Sequence, residues 1–350
     1  KFTSLLHHVN EQLLHDAFDD LKKDAAVGID DMTWHEYEQD REERITDLHS
    51  RIHRGAYRAK PSKRIYIPKA DGRKRPIGIA ALEDKIVQKA VVWVLQCIYE
   101  QDFLGFSYGF RPGRSQHKAL DALNVGLTSK RINWTFGFSG GVKNHCRGDV
   151  VIVRYADDFV IGFQSKTEAN ACLSALHERF GKFGLELHPE KTRLIEFGRH
   201  AIANRRKRGE GRPETFDFLG FTHRCYITTR GYFTVRRATI AKRMRATLAA
   251  IKRELIRRRH RPLGETGRWL RRVLQGWLGY HAVPGNMRRL QQFRMALGRL
   301  WRWQLLRRSQ RSRWPWERMY HLLARHFPPL KILHPYPNVR FRARLEAGAV

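Results

Sequence analysis

Residues 150–162 read Val150-Val-Ile-Val-Arg-Tyr-Ala-Asp-Asp-Phe-Val-Ile-Gly162, two β-branched runs that enclose two adjacent aspartates. Apolar β-branched runs on either side of a short turn are typical of a β-hairpin, and this turn carries Tyr155, Ala156, Asp157 and Asp158. Carboxylates in an apolar setting are costly unless they are paired or bound to a metal. We therefore predict that Asp157 and Asp158 bind a hard divalent cation through their oxygens. An ordinary solvated Asp-Asp turn is the alternative.

Downstream of the hairpin, the pattern predicts a helix, short strands and then a long helical region. Ser165 and Glu168 have the spacing of a capping box, which opens a helix that ends at Gly184. Strands are predicted over 193–197 and 216–221, separated by a basic loop. From residue 235 onwards, apolar residues recur at helical spacing in three successive segments, with arginines at the outward positions. The tail from Pro328 is predicted to be extended.

Upstream of the hairpin, residues 1–60 are predicted to be mostly helical, with one helix from Trp34 to about His53. A basic β-hairpin follows over 61–83, with Asp71-Gly72 in its turn. Its cationic side chains either form a solvated face or bind a triphosphate or the backbone of a template. A helix from Glu83 to about Glu100 leads to a Gly/Pro-rich cationic loop, after which Ser115 caps a helix through Leu123. No element is predicted for 124–148.

The charge of the chain is strongly asymmetric. The net charge of +33 arises from 31 Lys and Arg against 27 acids in residues 1–200, and 36 against 7 in residues 201–350. A polyanion partner explains this better than solubility does, and nucleic acid is the first candidate. A membrane surface is less well supported, because no amphipathic terminal helix, lipidation motif, signal peptide or membrane-length apolar run is present. The four separated cysteines form neither a zinc signature nor a disulfide framework, which favours a reducing, cytoplasmic compartment.

Several blocks, in order along nearly the whole chain, resemble bacterial group II intron-encoded reverse transcriptase/maturases. These blocks are Ile65-Tyr-Ile-Pro-Lys-Ala-Asp-Gly-Arg-Lys-Arg-Pro-Ile-Gly-Ile79, Leu82-Glu-Asp-Lys-Ile-Val-Gln88, Ser107-Tyr-Gly-Phe-Arg-Pro-Gly-Arg-Ser115, Arg154-Tyr-Ala-Asp-Asp-Phe-Val160, Pro189-Glu-Lys-Thr192, Phe216-Asp-Phe-Leu-Gly-Phe221 and Gly276-Trp-Leu-Gly-Tyr280. Each block alone is modest evidence, whereas the ordered set is specific.

The resemblance implies an α+β right-hand polymerase with fingers in 1–123, a palm in 124–222 and a helical, basic thumb/maturase domain in 223–350. It implies RNA-directed DNA synthesis with two Mg²⁺ ions, which hold the attacking and leaving oxygens while carboxylates hold the metals. The implied partners are intron or template RNA, a DNA primer and dNTPs, with a homodimer as an option and an association with ribonucleoprotein or nucleoid.

The same resemblance assigns roles to individual residues. Asp157 and Asp158 would be catalytic metal ligands, and Tyr155 would lie by the primer end. Lys69 and Arg75 would contact the triphosphate, and Lys191 would act near the pyrophosphate, although a surface lysine is an equal alternative. The arginines that we expect to contact RNA lie in the Gly/Pro-rich loop and in the helical region, and they are Arg111, Arg114, Arg257, Arg258, Arg271 and Arg272.

One departure from the family bears directly on activity. The family has an earlier palm strand with another metal-binding aspartate, followed by a Pro-Gln-Gly-Gly block, and neither is recognisable here. The acids between 116 and 154 are Asp121, in a predicted helix, and Asp149, at the hairpin lead-in. We therefore expect an internal palm deletion with its joint in 124–148, and impaired catalysis. The alternatives are a non-catalytic RNA-binding maturase or a degenerate remnant. The sequence to Val350 also lacks the Cys and His clusters of an HNH endonuclease.

Overall fold

The computed structural model describes residues 4–68, 74–138, 147–186 and 192–346. The chain divides into two compact units, residues 1–104 and 105–350. Both helices and strands are present, so the predicted α+β class is confirmed. The division into fingers, palm and thumb stays a prediction.

The N-terminal unit consists of helices and one β-hairpin. After a short 3₁₀ turn at Leu6–His8, its elements are α1 (Glu11–Asp19), α2 (Trp34–Gln39), α3 (Arg41–His53), β1 (Lys63–Pro68), β2 (Lys74–Ile79) and α4 (Leu82–Asp102). The hairpin and α4 confirm the predictions for this region, while the predicted hairpin turn lies outside the described residues. The single helix predicted from Trp34 to His53 is wrong, because Asp40 has a non-helical backbone (φ −115°, ψ 33°) and separates α2 from α3.

The second unit is built around a four-stranded antiparallel sheet. Its strands are β3 (Trp134–Phe138), β4 (Val150–Tyr155), β5 (Asp158–Phe163) and β6 (Ile195–Glu196), in the order β4-β5-β3-β6. Because side chains alternate along a strand, β5 faces two different cores. Phe159 and Ile161 pack in the cluster that contains Leu176 of α6 (Lys166–Gly181). Val160 packs in the cluster that contains Leu123 of α5 (Gln116–Ser129). Burial on both faces explains the nearly continuous apolar runs.

Strand β3 lies within 124–148, where the sequence pattern gave no element. It pairs with both β5 and β6, so it occupies an interior position of the sheet. The helix capped by Ser115 also extends further than predicted, to Ser129 rather than Leu123; the Ser115 side chain accepts from the Lys118 backbone N–H at 3.2 Å. The sequence pattern therefore missed a strand that lies beside the hairpin.

A second sheet follows, made of β7 (Phe216–Phe218), β8 (Phe221–Ile227) and β9 (Phe233–Thr239), after the short helix α7 (Ala201–Lys207). The predicted strand at 216–221 is two strands, because Leu219 and Gly220 turn the chain with φ values of 44° and 83°.

The strand predicted over 193–197 is shorter in the structure, where β6 covers only Ile195–Glu196. The predicted capping box also fails, because the Glu168 carboxylate instead accepts from the backbone N–H groups of Arg147 and Gly148.

The C-terminal part is helical, as predicted. Its helices are α8 (Ala241–Arg257), α9 (Leu263–His281), α10 (Met287–Leu306), α11 (Trp316–His326) and α12 (Pro337–Glu346). Trp277 of α9 stacks on Phe293 of α10 with centroids 3.8 Å apart, at the centre of this helical core. The extended tail predicted from Pro328 is wrong over α12, which packs on α5. Within the described ranges, we find no helix with the length and apolar character needed to cross a membrane.

Candidate functional site

The acidic turn is a tight hairpin connection. Tyr155 of β4 faces Asp158 of β5 in the strand register, so Ala156 and Asp157 alone make the turn. Ala156 adopts a left-handed backbone (φ 55°), which is uncommon for a residue with a side chain. The Nε of Arg154 donates to the Ala156 carbonyl at 2.8 Å and braces this conformation. Asp157 and Asp158 are exposed, and Tyr155 is half-buried.

The Gly/Pro-rich loop packs directly against this turn. The backbone N–H of Tyr108 donates to the Arg154 carbonyl at 2.8 Å, and that of Arg154 donates to the Phe106 carbonyl at 2.9 Å. Gly109 lies so close to the turn that a Cβ there would collide with the backbone of Ala156. Phe110, which is 83% exposed, lies with its ring 6.1 Å from that of Tyr155. The need for glycine in this block is therefore steric, which sequence reasoning missed.

The two arginines of this loop differ in their surroundings. Arg111 is 8% exposed, and its guanidinium donates to the Ser107 carbonyl at 2.8 Å. Arg114 donates to the Gly105 carbonyl at 2.7 Å and lies over the Tyr108 ring at 5.1 Å. Both side chains shape the loop. Burial of Arg111 limits its access to RNA.

Strand β3 runs toward the acidic turn without bringing an acid there. It is antiparallel to β5, and Phe138 at its end faces Phe159, the neighbour of Asp158. Its five residues are Trp, Thr, Phe, Gly and Phe. The strand position beside the hairpin is thus filled, but residues 134–138 carry no carboxylate.

Asp149 lies at the wrong end of the hairpin to complete the site. It precedes β4, whereas Asp157 follows it, and a six-residue strand spans roughly 20 Å. The Asp149 carboxylate accepts from the Arg131 backbone N–H at 3.0 Å, and this bond and the nearby guanidinium keep its pKa below the ordinary value.

Asp121 is engaged in a buried ion cluster. One carboxylate oxygen lies 2.9 Å from Nη1 of Arg237 on β9, and the other lies 3.1 Å from Nε of Arg340 on α12. Asp121 and Arg237 are 3% and 2% exposed. Asp121 therefore joins α5, β9 and α12, and it has a structural role. Neither Asp121 nor Asp149 therefore supplies a second carboxylate to Asp157 and Asp158.

The remaining predicted residues are distributed over several parts of the chain. Lys69 and Lys191 lie outside the described residues. Arg75 is exposed on β2 of the N-terminal unit, opposite Ile67 in the hairpin register.

The helical arginines fall into two groups. Arg258 lies between Glu254 and Glu265, at 2.7 and 3.5 Å, and Arg271 donates to the carbonyls of His326 and Arg325. Arg257 and Arg272 project from the surface, with Arg257 3.6 Å from Glu254.

Comparison with known proteins bears on the segment that contains the hairpin. Residues 132–223 match the family described as "Reverse transcriptase (RNA-dependent DNA polymerase)". The match begins just before β3 and ends within β8, so it includes the whole four-stranded sheet. The resemblance to group II intron reverse transcriptase/maturases is confirmed. Residues 132–223 are thus similar to reverse transcriptases.

Three relatives share short segments with this chain. The group II intron-encoded protein LtrA of Lactococcus lactis subsp. cremoris is 42% identical over 83 residues, 23% of this chain and 14% of LtrA. Protein YkfC of Escherichia coli K12 is 49% identical over 74 residues, 21% of this chain and 19% of YkfC. An uncharacterized 91 kDa protein in the cob intron of Schizosaccharomyces pombe is 51% identical over 63 residues, 18% and 8% of the two chains. The matched segments thus span less than a fifth of each relative.

The donor set at the turn suits a metal ion only in part. Two exposed carboxylates provide the oxygen ligands that Mg²⁺ prefers. Within the described residues, however, no group of three or more His, Cys, Asp or Glu side chains is positioned to hold a metal ion. Asp157 and Asp158 would thus be the residues that hold Mg²⁺, and a bound ion would neutralise charge on phosphate oxygens.

Proposed function

We propose that this chain is an RNA-binding protein of reverse transcriptase/maturase lineage in which nucleotidyl transfer is strongly impaired. The proposal that catalysis is impaired rests on the positions of Asp121 and Asp149. Asp121 is held between two arginines, and Asp149 lies a strand length from Asp157. Two-metal catalysis needs enough ligands at one place to hold both ions, and these two acids do not converge on the turn.

RNA binding is supported by the charge and chemistry of the helical region. Residues 201–350 carry 36 Lys and Arg against 7 acids. One arginine there lies over an exposed aromatic ring, since the Arg307 guanidinium is 5.1 Å from the centroid of the Trp303 ring. Guanidinium groups that contact phosphates beside rings that stack on bases are typical of RNA-binding surfaces. The proposed partner is therefore RNA, most simply intron RNA by resemblance.

An active RNA-directed DNA polymerase is the second candidate, favoured by the intact hairpin. Tyr155 would then lie by the primer end, Arg75 and Lys69 would contact the dNTP, and Lys191 would lie near the leaving pyrophosphate. A DNA primer, a homodimer and a location in cytoplasmic ribonucleoprotein belong to the same proposal.

Replacing Arg272 tests whether this surface binds RNA. Arg272→Gln should reduce the slope of log affinity against log salt by about 0.7, because one fewer phosphate is neutralised on single-stranded RNA. The measurement is a binding titration of the full chain at several salt concentrations. Arg258→Gln is the matched control, because that charge is already paired with Glu254 and Glu265 and should change the slope less. A wild-type affinity that does not depend on salt would exclude RNA binding by this surface.

A further inference from the structure

A concave groove of about 510 Å³ lies between α8 and α10. Lys252 and Ile256 are one turn apart on α8, and Arg299 and Trp303 are one turn apart on α10, whereas Arg259 and Arg307 follow the ends of these helices. The lining residues are Lys252, Ile256, Arg259, Arg299, Leu300, Trp303, Gln304 and Arg307. Its size is that of a small-ligand site, for which volumes of about 300–1,000 Å³ are usual.

The rim of the groove is strongly cationic. Lys252 and Arg299 are exposed, and in the described part of the chain neither has a carboxylate within salt-bridge distance. Arg259 is held in place because its Nε donates to the Gln304 side chain at 3.1 Å. No acid is among the residues described as lining the groove. Four uncompensated cations around one concavity favour an anionic occupant.

The interior of the groove is apolar and aromatic. Trp303 is 52% exposed and Ile256 is 45% exposed, so apolar surface lies open to solvent between the cations. The Arg307 guanidinium lies over the Trp303 ring at 5.1 Å. A flat apolar ligand with anionic groups on either side would cover this surface, and a nucleotide base with its flanking phosphates has that chemistry.

We propose that this groove holds one unpaired nucleotide of single-stranded RNA. The base stacks on Trp303 and packs against Ile256, and the neighbouring phosphates contact Lys252 and Arg299. Stacking on an indole face does not select a particular base, because every base has a flat face. The groove therefore recognises that a base is unpaired, and not which base it is. A base inside a duplex cannot enter, because both of its faces are already stacked. This inference rests on the proposed RNA binding and narrows it to single-stranded segments.

The test is the affinity of full-length Trp303→Leu for a single-stranded RNA oligonucleotide and for a blunt RNA duplex of equal length. We expect the variant to bind the single strand about 5- to 150-fold more weakly and the duplex as wild type does. Trp303→Phe should retain most of the affinity, because phenylalanine still stacks. Trp316→Leu, another exposed tryptophan beside an arginine, is the matched control and should have no effect. Circular dichroism should show that all variants are folded, since both side chains are exposed.

The outcomes separate this inference from the proposed function. If the wild type binds neither RNA, RNA binding itself is wrong. If the wild type binds RNA and Trp303→Leu binds the single strand equally well, only the groove assignment is wrong. Equal losses in Trp303→Leu and Trp316→Leu, or equal losses on single strand and duplex, would also overturn the assignment of the unpaired base to this groove. Arg299→Gln, which leaves the stacking surface intact, should weaken single-strand binding most at low salt.

Discussion

Asp121→Asn is expected to lower the free energy of unfolding of the second unit by about 3–5 kcal/mol. Asp121 is the shared anion of Arg237 and Arg340, and its loss leaves a buried guanidinium without a carboxylate. Burial already disfavours the charged form of Arg237, as its lowered pKa indicates, and the Asp121 charge opposes this effect. Removing one partner of a buried pair therefore costs far more than the pair itself contributes.

Urea unfolding followed by circular dichroism and tryptophan fluorescence measures this loss. Asp149→Asn is the control, because the Asp149–Arg131 pair is exposed and 3.4 Å long. An exposed pair of this kind contributes at most about 1 kcal/mol. If the two variants lose similar, small amounts of stability, Asp121 does not have the structural role that we assign to it.

Acidification is expected to destabilise the second unit through His223. This side chain is fully buried opposite Arg237 in the β8–β9 register. Burial, and then the charge of Arg237, lower the pKa of His223 from 6.5 to about 3. The unfolded chain thus binds a proton that the folded chain excludes. The stabilisation is complete above pH 6.5 and is lost as the pH falls toward 3, by about 2 kcal/mol at pH 5. Burial also lowers the pKa of His281, to about 4, which adds a loss of the same sign.

The matched variant for this prediction is His223→Phe. Phenylalanine retains an aromatic ring at the position where His223 stacks on Phe216, with centroids 4.8 Å apart, but it cannot titrate. The unfolding free energy of His223→Phe should therefore fall less steeply between pH 7 and pH 5 than that of the wild type. His200→Phe replaces an exposed histidine and should keep the wild-type pH dependence. Parallel pH profiles for His223→Phe and the wild type would contradict the account.

The elements with a strong periodic signal could be predicted from the sequence. The β-branched runs around Asp157 predicted the hairpin, and the apolar residues at helical spacing after residue 235 predicted α8, α9 and α10. The resemblance was carried by short blocks in a fixed order, and at Gly109 the structure explains the glycine by its close packing against the backbone of Ala156. These features are local, so a single sequence contains the information.

The elements that were missed depend on contacts between distant residues. Strand β3 has only five residues, and its partners β5 and β6 stabilise it. Helix α12 follows a Pro-rich segment, and it packs on α5, where Arg340 reaches Asp121. Ser165 and Glu168 have capping-box spacing, but the Glu168 carboxylate accepts from two backbone N–H groups before β4 instead. Tertiary interactions override local preference at these positions.

The pairing of β3 with β5 bears on the missing palm aspartate that the resemblance to the family predicted. A strand beside the hairpin is present, and it lies within the segment that matches reverse transcriptases. This strand, Trp134–Phe138, brings no acid to the turn. We propose that this sheet supports two-metal chemistry poorly, because among the described residues neither β3 nor Asp121 nor Asp149 adds a carboxylate to Asp157 and Asp158.

The most direct test of this account is primer extension on an RNA template with Mg²⁺ and dNTPs, with wild type and Asp157→Asn compared at equal concentration. RNA binding is measured on the same preparations, and an active reverse transcriptase on the same template serves as the positive control. We predict that both proteins bind the RNA with strong salt dependence and that the wild type makes no more product than Asp157→Asn. Robust synthesis by the wild type that is lost in Asp157→Asn would contradict the account.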